Sequence, residues 1–479
     1  MLDHLATLGA LTPRSVLVIG DLMCDEYVQV STERLSPEAP VPVLRYRDHH
    51  FNLGGAANVA RNLRALEQRV SLLGVLGEDP SGHKVMELLE DLHIEAAGCL
   101  VDPTRPTTTK TRFISRRYQV LRLDRETETG LDPALADRLL ELARERMQHV
   151  DGVVLSDYGK GVLSASLCQA LIELARSHHK PILADPKGTD PRKYAGVDLL
   201  TPNRNEVGAL LGRPLPDAPS LHTALLDLAE LIGGAVLVTL GEQGVALQPK
   251  AGPLRSFPAE PREVYDVTGA GDTILAHAAV NLLNRVPLEE LAFLANLAGG
   301  LAVTKFGAAT VNLDEVRFEL EHKHFISKKI KQLEELTGLV KEASAQGLRV
   351  IFTNGCFDML HFGHIEFFRQ ARALGDLLVV ATNSDRSIRA IKGQNRPHIR
   401  ERQRLYLLAS IDCIDHLILF DDETPLRLLE ALRPQILVKA GHQDIVGAEL
   451  VRGYGGQAFS LPLPGLEDRE PTLTSIEDL

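Results

Sequence analysis

The stretch TNGCFDMLHFGH places two histidines, His361 and His364, three residues apart with Gly363 between them. Three kinds of chemistry fit such a pair. Helical histidine pairs bind zinc in metalloproteases, but there the spacing is four with a glutamate inside. Here no cysteine cluster or further histidine lies nearby to complete a shell. The apolar neighbours Phe362, Ile365, Phe367 and Phe368 would suit two packed core histidines. The glycine points to a third use. At a helix start it lets a phosphate approach the backbone, and two imidazoles can then donate to phosphate oxygens and carry charge near neutral pH. A second stretch, YDVTGAGDT, puts Gly269, Ala270 and Gly271 at the start of an apolar helix, with Asp272 inside its positive end. Free N–H groups and the helix dipole favour an anion there, and a carboxylate beside a bound phosphate suits a base that takes a hydroxyl proton. On the local pattern alone, a glycine-rich turn capped by an aspartate reads equally well. It is not a P-loop, since GxxxxGK[ST] is absent from the chain, nor a dinucleotide fingerprint, since the third glycine is missing.

Strands and helices in alternation must position these residues. SVLVIGD (15–21), RVSLLGVLG (69–77), GVVLSDYG (152–159), PILADPKG (181–188), DLLTPNRNE (198–206) and AVLVTLGEQG (235–244) are apolar runs that close on Gly, Asp or Asn, with helical sequence between them. That pattern predicts an α/β domain whose parallel sheet carries helices on both faces. Ligands bind beyond the carboxyl ends of such strands, so the polar residues closing these runs are candidates for one shared site. Residues 321–346 change character: they are charged and helical, with no strand, and read as a helical linker. A second series follows: LRVIFTNGCFD (348–358), DLLVVATNSD (376–385), DHLILFDDET (415–424) and QILVKAGHQ (435–443). The expected organisation is therefore a domain over 1–320, the linker, and a smaller α/β domain over 347–479.

Composition narrows the function classes. A formal net charge of −12 argues against nucleic acid as a partner, because neutralising phosphates needs a Lys/Arg excess. The N-terminus lacks a signal-peptide pattern, and the longest apolar stretch, near 291–303, falls short of the roughly 18–20 residues of a spanning helix, so no membrane partner is expected. Five widely spaced cysteines, with no CxxC pair, predict reduced thiols and a cytoplasmic location.

GGAANVARNL (54–63), TPNRNE (201–206) and YDVTGAGDT (265–273), in that order, resemble the signatures of the ribokinase-like carbohydrate kinases over about 15–315. The resemblance implies that Asp272 is the base and that Gly269, Ala270 and Gly271 form an anion hole. It further implies that Asn203, Arg204, Asn205 and Glu206 meet the nucleotide, with Asn203 and Glu206 organising Mg²⁺ indirectly. Thr239, Gly241 and Gly244 of TLGEQG would cradle the nucleotide, and Asp21, Gly54, Gly55 and Asn58 would read the sugar. GCFDMLHFGH matches the HxGH signature of the cytidylyltransferase-like nucleotidyltransferases, a Rossmann-like fold, over about 348–479. That resemblance implies that His361 and His364 stabilise charge on the α-phosphate and that Lys392 of IKGQNRP meets the triphosphate. Thr353, Asn354, Gly355, Phe357 and Arg396 would contact nucleotide, Asp358 the sugar, and Asp385 is a weaker candidate. Lys439, Thr474 and Ser475 are weak phosphate-binding candidates.

Taken together, the chain resembles the bifunctional heptose 7-phosphate kinases / heptose 1-phosphate adenylyltransferases of ADP-heptose synthesis, which supply the lipopolysaccharide inner core. RLSPEAPVPVL (34–44), LSDYGKG (155–161), DPKGTD (185–190) and LEALRPQILVKAG (429–441) add to that resemblance. It implies a sugar phosphate and ATP as substrates of both domains, a separate phosphatase to remove the 7-phosphate between steps, and a homo-oligomer, expected to be a dimer. Two stretches depart from the pattern: KAGHQ (439–443), where a Lys-Gly-Gly-Asp-like turn is expected, and PTLTSIEDL at the end, where a Ser-Thr-Thr-like cap is expected. At the level of sequence two other readings stay open. One is the same chemistries on another sugar phosphate or with CTP; the other is an active kinase joined to a nucleotide-binding domain without turnover.

Overall fold

Val16, Leu17, Val18 and Ile19 are fully buried, as a strand covered on both faces requires. In the computed structural model they form strand Ser15–Gly20, inside a nine-stranded sheet. The structure describes residues 2–115, 118–260, 262, 264–441 and 445–462. It divides into two compact units, Met1–Phe318 and Glu319–Leu479.

The large sheet of the first unit runs Arg255–Phe257, Val245–Gln248, Ala235–Thr239, Leu199–Leu200, Ile182–Asp185, Gly152–Ser156, Ser15–Gly20, Arg69–Gly77, Glu95–Asp102. All pairings are parallel except the two at the Arg255–Phe257 edge. Alternate residues of the central strand enter different cores. Val16 and Val18 pack with helices Ala56–Ala65 and Ala270–Leu283, while Leu17 and Ile19 pack with helices Pro133–Met147 and Ala165–Ser177. The expected two-faced parallel sheet is present, with an antiparallel edge added.

A second sheet of this unit has no counterpart in the sequence reading. Strand Leu22–Leu35 leaves directly from Asp21 and joins Pro42–Gly55, Thr108–Ser115 and Tyr118–Arg125 in the order Pro42–Gly55, Leu22–Leu35, Thr108–Ser115, Tyr118–Arg125. These strands are long and largely polar, so they lack the apolar runs that betray a buried strand. Asp25 and Arg112, both buried, pair across it at 2.7 Å.

In the second unit, five parallel strands lie in the order His416–Phe420, Leu377–Asn383, Val350–Gly355, Ile436–Ala440, Gln457–Leu461. The order reverses beside Val350–Gly355, which opens a crevice at the carboxyl ends of that strand and its neighbour Ile436–Ala440. Residues 321–346, expected to be a linker, fall in the second unit, and helix Leu333–Ala345 buries Leu336, Val340 and Ala343 in its core. The charged residues mark its solvent face; the apolar ones recur at helical spacing on the other. Among the described residues, no helix is long and apolar enough to cross a membrane.

Candidate active sites

Helix Ala270–Leu283 starts from Gly269, whose φ of +79° a side chain would strain. That turn carries Asp272 into a buried position. Its Oδ2 accepts from Asn58 Nδ2 at 2.5 Å and its Oδ1 from the Tyr158 hydroxyl at 2.7 Å. Burial raises its pKa to about 6; the two hydrogen bonds and the Arg61 charge act against that rise, and Asp25 adds to it. A carboxylate poised near the working pH is what proton abstraction needs. Beside it, Gly271 is exposed, and a Cβ there would meet nothing within 4 Å, so the backbone at the helix start is open to a ligand. The Ala270 N–H, in contrast, donates to the Val267 carbonyl at 3.3 Å.

The residues expected to read the sugar separate into two groups. Asn58 reaches Asp272 directly. Asp21 turns the other way: its carboxylate accepts backbone N–H groups of Tyr158, Lys160 and Val162 at 2.8, 3.1 and 3.1 Å. Burial raises its pKa, and those three bonds oppose the rise. Asp21 thus shapes the loop that presents Tyr158. Gly55 has φ +58° and begins helix Ala56–Ala65 so close to Asp21 that a Cβ would lie 2.3 Å from the Asp21 carbonyl oxygen. Gly54 precedes it above Asp25.

Asn203 and Glu206 form a capping box at the start of helix Arg204–Leu211: the Asn203 side chain accepts the Glu206 N–H at 3.0 Å, and Glu206 Oε2 accepts the Asn203 N–H at 2.9 Å. The other Glu206 oxygen accepts from Lys187 at 3.0 Å. Asp185 ends its strand close by; burial, then the charges of Glu206 and Asp272, raise its pKa well above the usual carboxylate range. Thr239 bridges to Asn203, and Gly241 and Gly244 bound the short turn that follows. Arg204 approaches Gln243 in that turn at 3.4 Å, while Asn205 is exposed. Asn203, Glu206, Thr239 and Gly241 therefore lie together at the carboxyl edge of the sheet. Among the described residues no group of three or more His, Cys, Asp or Glu forms a metal cage. Mg²⁺ is usually held by one or two carboxylates together with substrate phosphates, and Glu206 and Asp185 are carboxylates at this edge.

In the second unit, His361 is the N-cap of helix Phe362–Arg372, and its ring centroid is 4.1 Å from that of His364. Burial pushes the His364 pKa down to about 4, with His361 and Lys392 adding to the shift. The expectation that both imidazoles charge easily near neutrality is corrected for His364: a recessed ring beside two other basic groups stays neutral. Its Nδ1 is buried without a hydrogen-bond partner. His361, His364 and Lys392 are thus one electrostatic group. Lys439 Nζ crosses to the Asn354 carbonyl and Oδ1 at 2.8 and 3.1 Å, at the point where the strand order reverses. Burial lowers its pKa. Thr353 is buried in the strand, Gly355 ends it, and Phe357 (φ +46°) sets its ring edge-on to His364.

Asp358 and Arg396, expected to meet sugar and nucleotide, bond to each other at 2.5 Å. Asp358 also accepts the His398 and Ile399 N–H groups at 2.5 and 3.4 Å. Burial alone would raise its pKa; these bonds bring it below the usual range. Together they anchor the segment after Lys392. Asp385 likewise pairs with buried Arg404 at 3.0 Å. Thr474 and Ser475 lie outside the described residues, as do His442 and Gln443 of KAGHQ.

Arg61 is not singled out by the sequence, and Tyr158, Asp185 and Lys187 enter there only within the motifs LSDYGKG and DPKGTD, without roles of their own. For Tyr158, Asp185 and Lys187 a signal existed, since each closes or follows a strand on the ligand side of the sheet. For Arg61 none did, because an arginine on a helix reads as surface charge.

Comparison with known proteins separates the same two parts. The pfkB family carbohydrate kinase model matches residues 13–316, and the cytidylyltransferase-like model matches 352–454. A Helicobacter pylori protein named bifunctional protein HldE is 45% identical over 443 residues, spanning 92% of this chain and 94% of its own length. One of the same name from Geobacter sulfurreducens is 42% identical over 472 residues, 97% of this chain and 95% of its own. Among solved structures, Arabidopsis thaliana ribokinase complexed with ribose and ATP aligns with 65% of this chain and 99% of its own at a TM-score of 0.52 and 23% identity. Phosphofructokinase-2 from Escherichia coli, in its tetrameric inhibited form, aligns with 65% and 100% at 0.54 and 18%, which shows a shared fold.

Proposed function

This chain belongs to the HldE family of bifunctional proteins, and from that premise we propose how its two sites divide the work. The first unit transfers the γ-phosphoryl group of ATP to O1 of D-glycero-D-manno-heptose 7-phosphate. The second joins AMP from ATP to heptose 1-phosphate and releases pyrophosphate. The observation that carries the reading is that one chain holds both a buried carboxylate at a glycine-led helix start and a His361–His364–Lys392 cluster beside a parallel-sheet crevice.

In the kinase step Asp272 takes the proton of the O1 hydroxyl, O1 bonds to the γ-phosphorus, and the bond to the β–γ bridging oxygen breaks, leaving ADP. The open backbone at Gly271 faces the charge that develops on the transferred group, with Gly269 and Ala270 forming the turn that presents it. Asn203, Glu206 and Asp185 would hold Mg²⁺, which when bound neutralises phosphate charge; Lys187 supports Glu206 from the other side. Thr239, Gly241 and Gly244 border the nucleotide. In the second unit a phosphate oxygen of heptose 1-phosphate bonds to the α-phosphorus as the bond to pyrophosphate breaks. His361, His364 and Lys392 offset the charge that gathers there, and positioning with electrostatics suffices without a covalent intermediate. Lys439 holds Asn354 at the crevice.

Phosphorus NMR with Mg-ATP tests both halves. Heptose 7-phosphate should yield a new anomeric phosphate, and heptose 1-phosphate should yield ADP-heptose with pyrophosphate. A kinase product without pyrophosphate would make the second unit a nucleotide-binding module.

The chain's free cysteines are consistent with a reducing, cytoplasmic setting. We also propose a homodimer formed through the second sheet of the first unit. Its edge strand Tyr118–Arg125 is exposed along its whole length and carries Tyr118, Val120, Leu121 and Leu123 to the surface. An edge of that kind is normally covered. Light scattering should give twice the chain mass; a monomer at micromolar concentration would refute the dimer.

A further inference from the structure

The side chain that holds the kinase base is itself held. Arg61 lies one turn after Asn58 on helix Ala56–Ala65 and donates from Nη2 to Asn58 Oδ1 at 2.7 Å. Asn62 Nδ2 donates to the Asn58 carbonyl at 2.9 Å and approaches its Oδ1 at 3.4 Å. A guanidinium carries only donors, so the Asn58 amide oxygen must face Arg61. The amide NH2 is thereby turned toward Asp272, where it donates at 2.5 Å. The flipped amide would set donor against donor at Arg61 and oxygen against carboxylate at Asp272. Arg61 Nε is buried with no hydrogen-bond partner, so no bond from that atom competes for the group. The neighbouring Arg64 is engaged elsewhere, on the Leu92 and Gln68 carbonyls at 3.3 and 2.7 Å.

We propose that Arg61 is a positioning residue for phosphoryl transfer: through Asn58 it orients Asp272 and keeps that buried carboxylate ionised. The inference rests on the reading of Asp272 as the kinase base. The groups around Asp272 come from several elements. The Tyr158 hydroxyl comes from the loop after Gly152–Ser156, Asn58 and Arg61 from helix Ala56–Ala65, Asp25 from Leu22–Leu35 and Asp185 from the end of Ile182–Asp185. Lys110, from Thr108–Ser115, lies over the Tyr158 ring at 5.8 Å. Asp25 opposes ionisation of Asp272, and Arg61 is the cation that offsets it.

The test compares the full-length parent, Arg61→Met and Arg61→Lys by kinase kcat/KM between pH 5 and 9. Removing a cation that favours the ionised carboxylate raises its pKa. Arg61→Met should therefore shift the acidic limb upward, with a several-fold loss at pH 6 that recovers by pH 9. Arg61→Lys should shift it less, and the KM values for ATP and the sugar phosphate should stay put. A loss independent of pH, or a raised KM on an unshifted limb, would overturn the proposal in favour of a structural or substrate-binding role. Carbon NMR titration of the Asp272 carboxyl without substrate supplies a readout independent of turnover: it should move upward in Arg61→Met, and an unmoved carboxyl overturns the proposal. Should Arg61→Met not fold, the Arg61→Lys titration decides by the same sign. If the parent titrates as described but does not phosphorylate heptose 7-phosphate, the functional reading fails while the link from Arg61 to Asp272 stands.

Discussion

Asp272→Asn is expected to slow phosphorylation of heptose 7-phosphate about 10²–10⁴-fold, the usual worth of a general base, and to leave pyrophosphate release by the second unit unchanged. The substitution is clean because both partners can adapt. The new amide oxygen can accept from Asn58, and the Tyr158 hydroxyl, which both donates and accepts, can turn to receive the new NH2. What disappears is the ability to take a proton. The parent should lose kcat/KM as pH falls through about 6, where Asp272 becomes protonated. The variant should be flat across that range. Stability should move in the opposite sense. A carboxyl whose folded pKa is raised favours the folded state while protonated, below its unfolded value near 3.8, and that contribution is lost as pH rises through about 6. The thermal midpoint of Asp272→Asn relative to the parent should therefore climb between pH 4 and pH 8. Kinase turnover that survives the substitution would remove Asp272 from the role of base.

The contrast between Asp272 and Asp21 shows what sequence patterns could and could not reveal. Both follow glycine at the edge of an apolar element, and both end up buried with a raised pKa. The strand pattern was enough to put Asp21 at the carboxyl end of its strand, and the glycine-led helix start marked Asp272. Neither pattern could say which partners each carboxylate takes. That depends on Tyr158, whose backbone N–H goes to Asp21 while its hydroxyl goes to Asp272 across 114 positions. The capping box of Asn203 and Glu206 was legible as spacing, but the Lys187 contact that engages the second Glu206 oxygen was not. In the second unit, HxGH announced a helix start, yet the pairing of Asp358 with Arg396 depends on how the chain after Lys392 folds back. The polar second sheet was invisible for a different reason: its buried apolar residues, such as Tyr27, Val28, Val30 and Ile114, are interspersed with polar ones along long strands rather than gathered in an apolar run.

His364→Ala should reduce pyrophosphate release about 10²–10³-fold, the range seen when one preorganised donor to developing charge is removed, with kinase turnover intact. In the free site His364 is held neutral, its pKa pushed to about 4 by burial and then by His361 and Lys392. Its Nδ1 has no hydrogen-bond partner. A triphosphate changes both conditions at once: it supplies negative charge next to three basic groups and an acceptor for the unpartnered His364 ring nitrogen once that nitrogen is protonated. Protonation that was unfavourable becomes favourable, so ATP binding near pH 6 should take up protons, seen as a binding heat that varies with the ionisation enthalpy of the buffer. His364→Ala should remove that uptake as well as the turnover. His364→Gln, which keeps a neutral donor near the same place, separates the two contributions: partial recovery of turnover without proton uptake would assign the catalysis to hydrogen bonding, and no recovery would assign it to the imidazolium. Loss of kinase turnover along with pyrophosphate release in His364→Ala would mean instead that the two units fold as one, and the role given to the histidine would have no support from that variant.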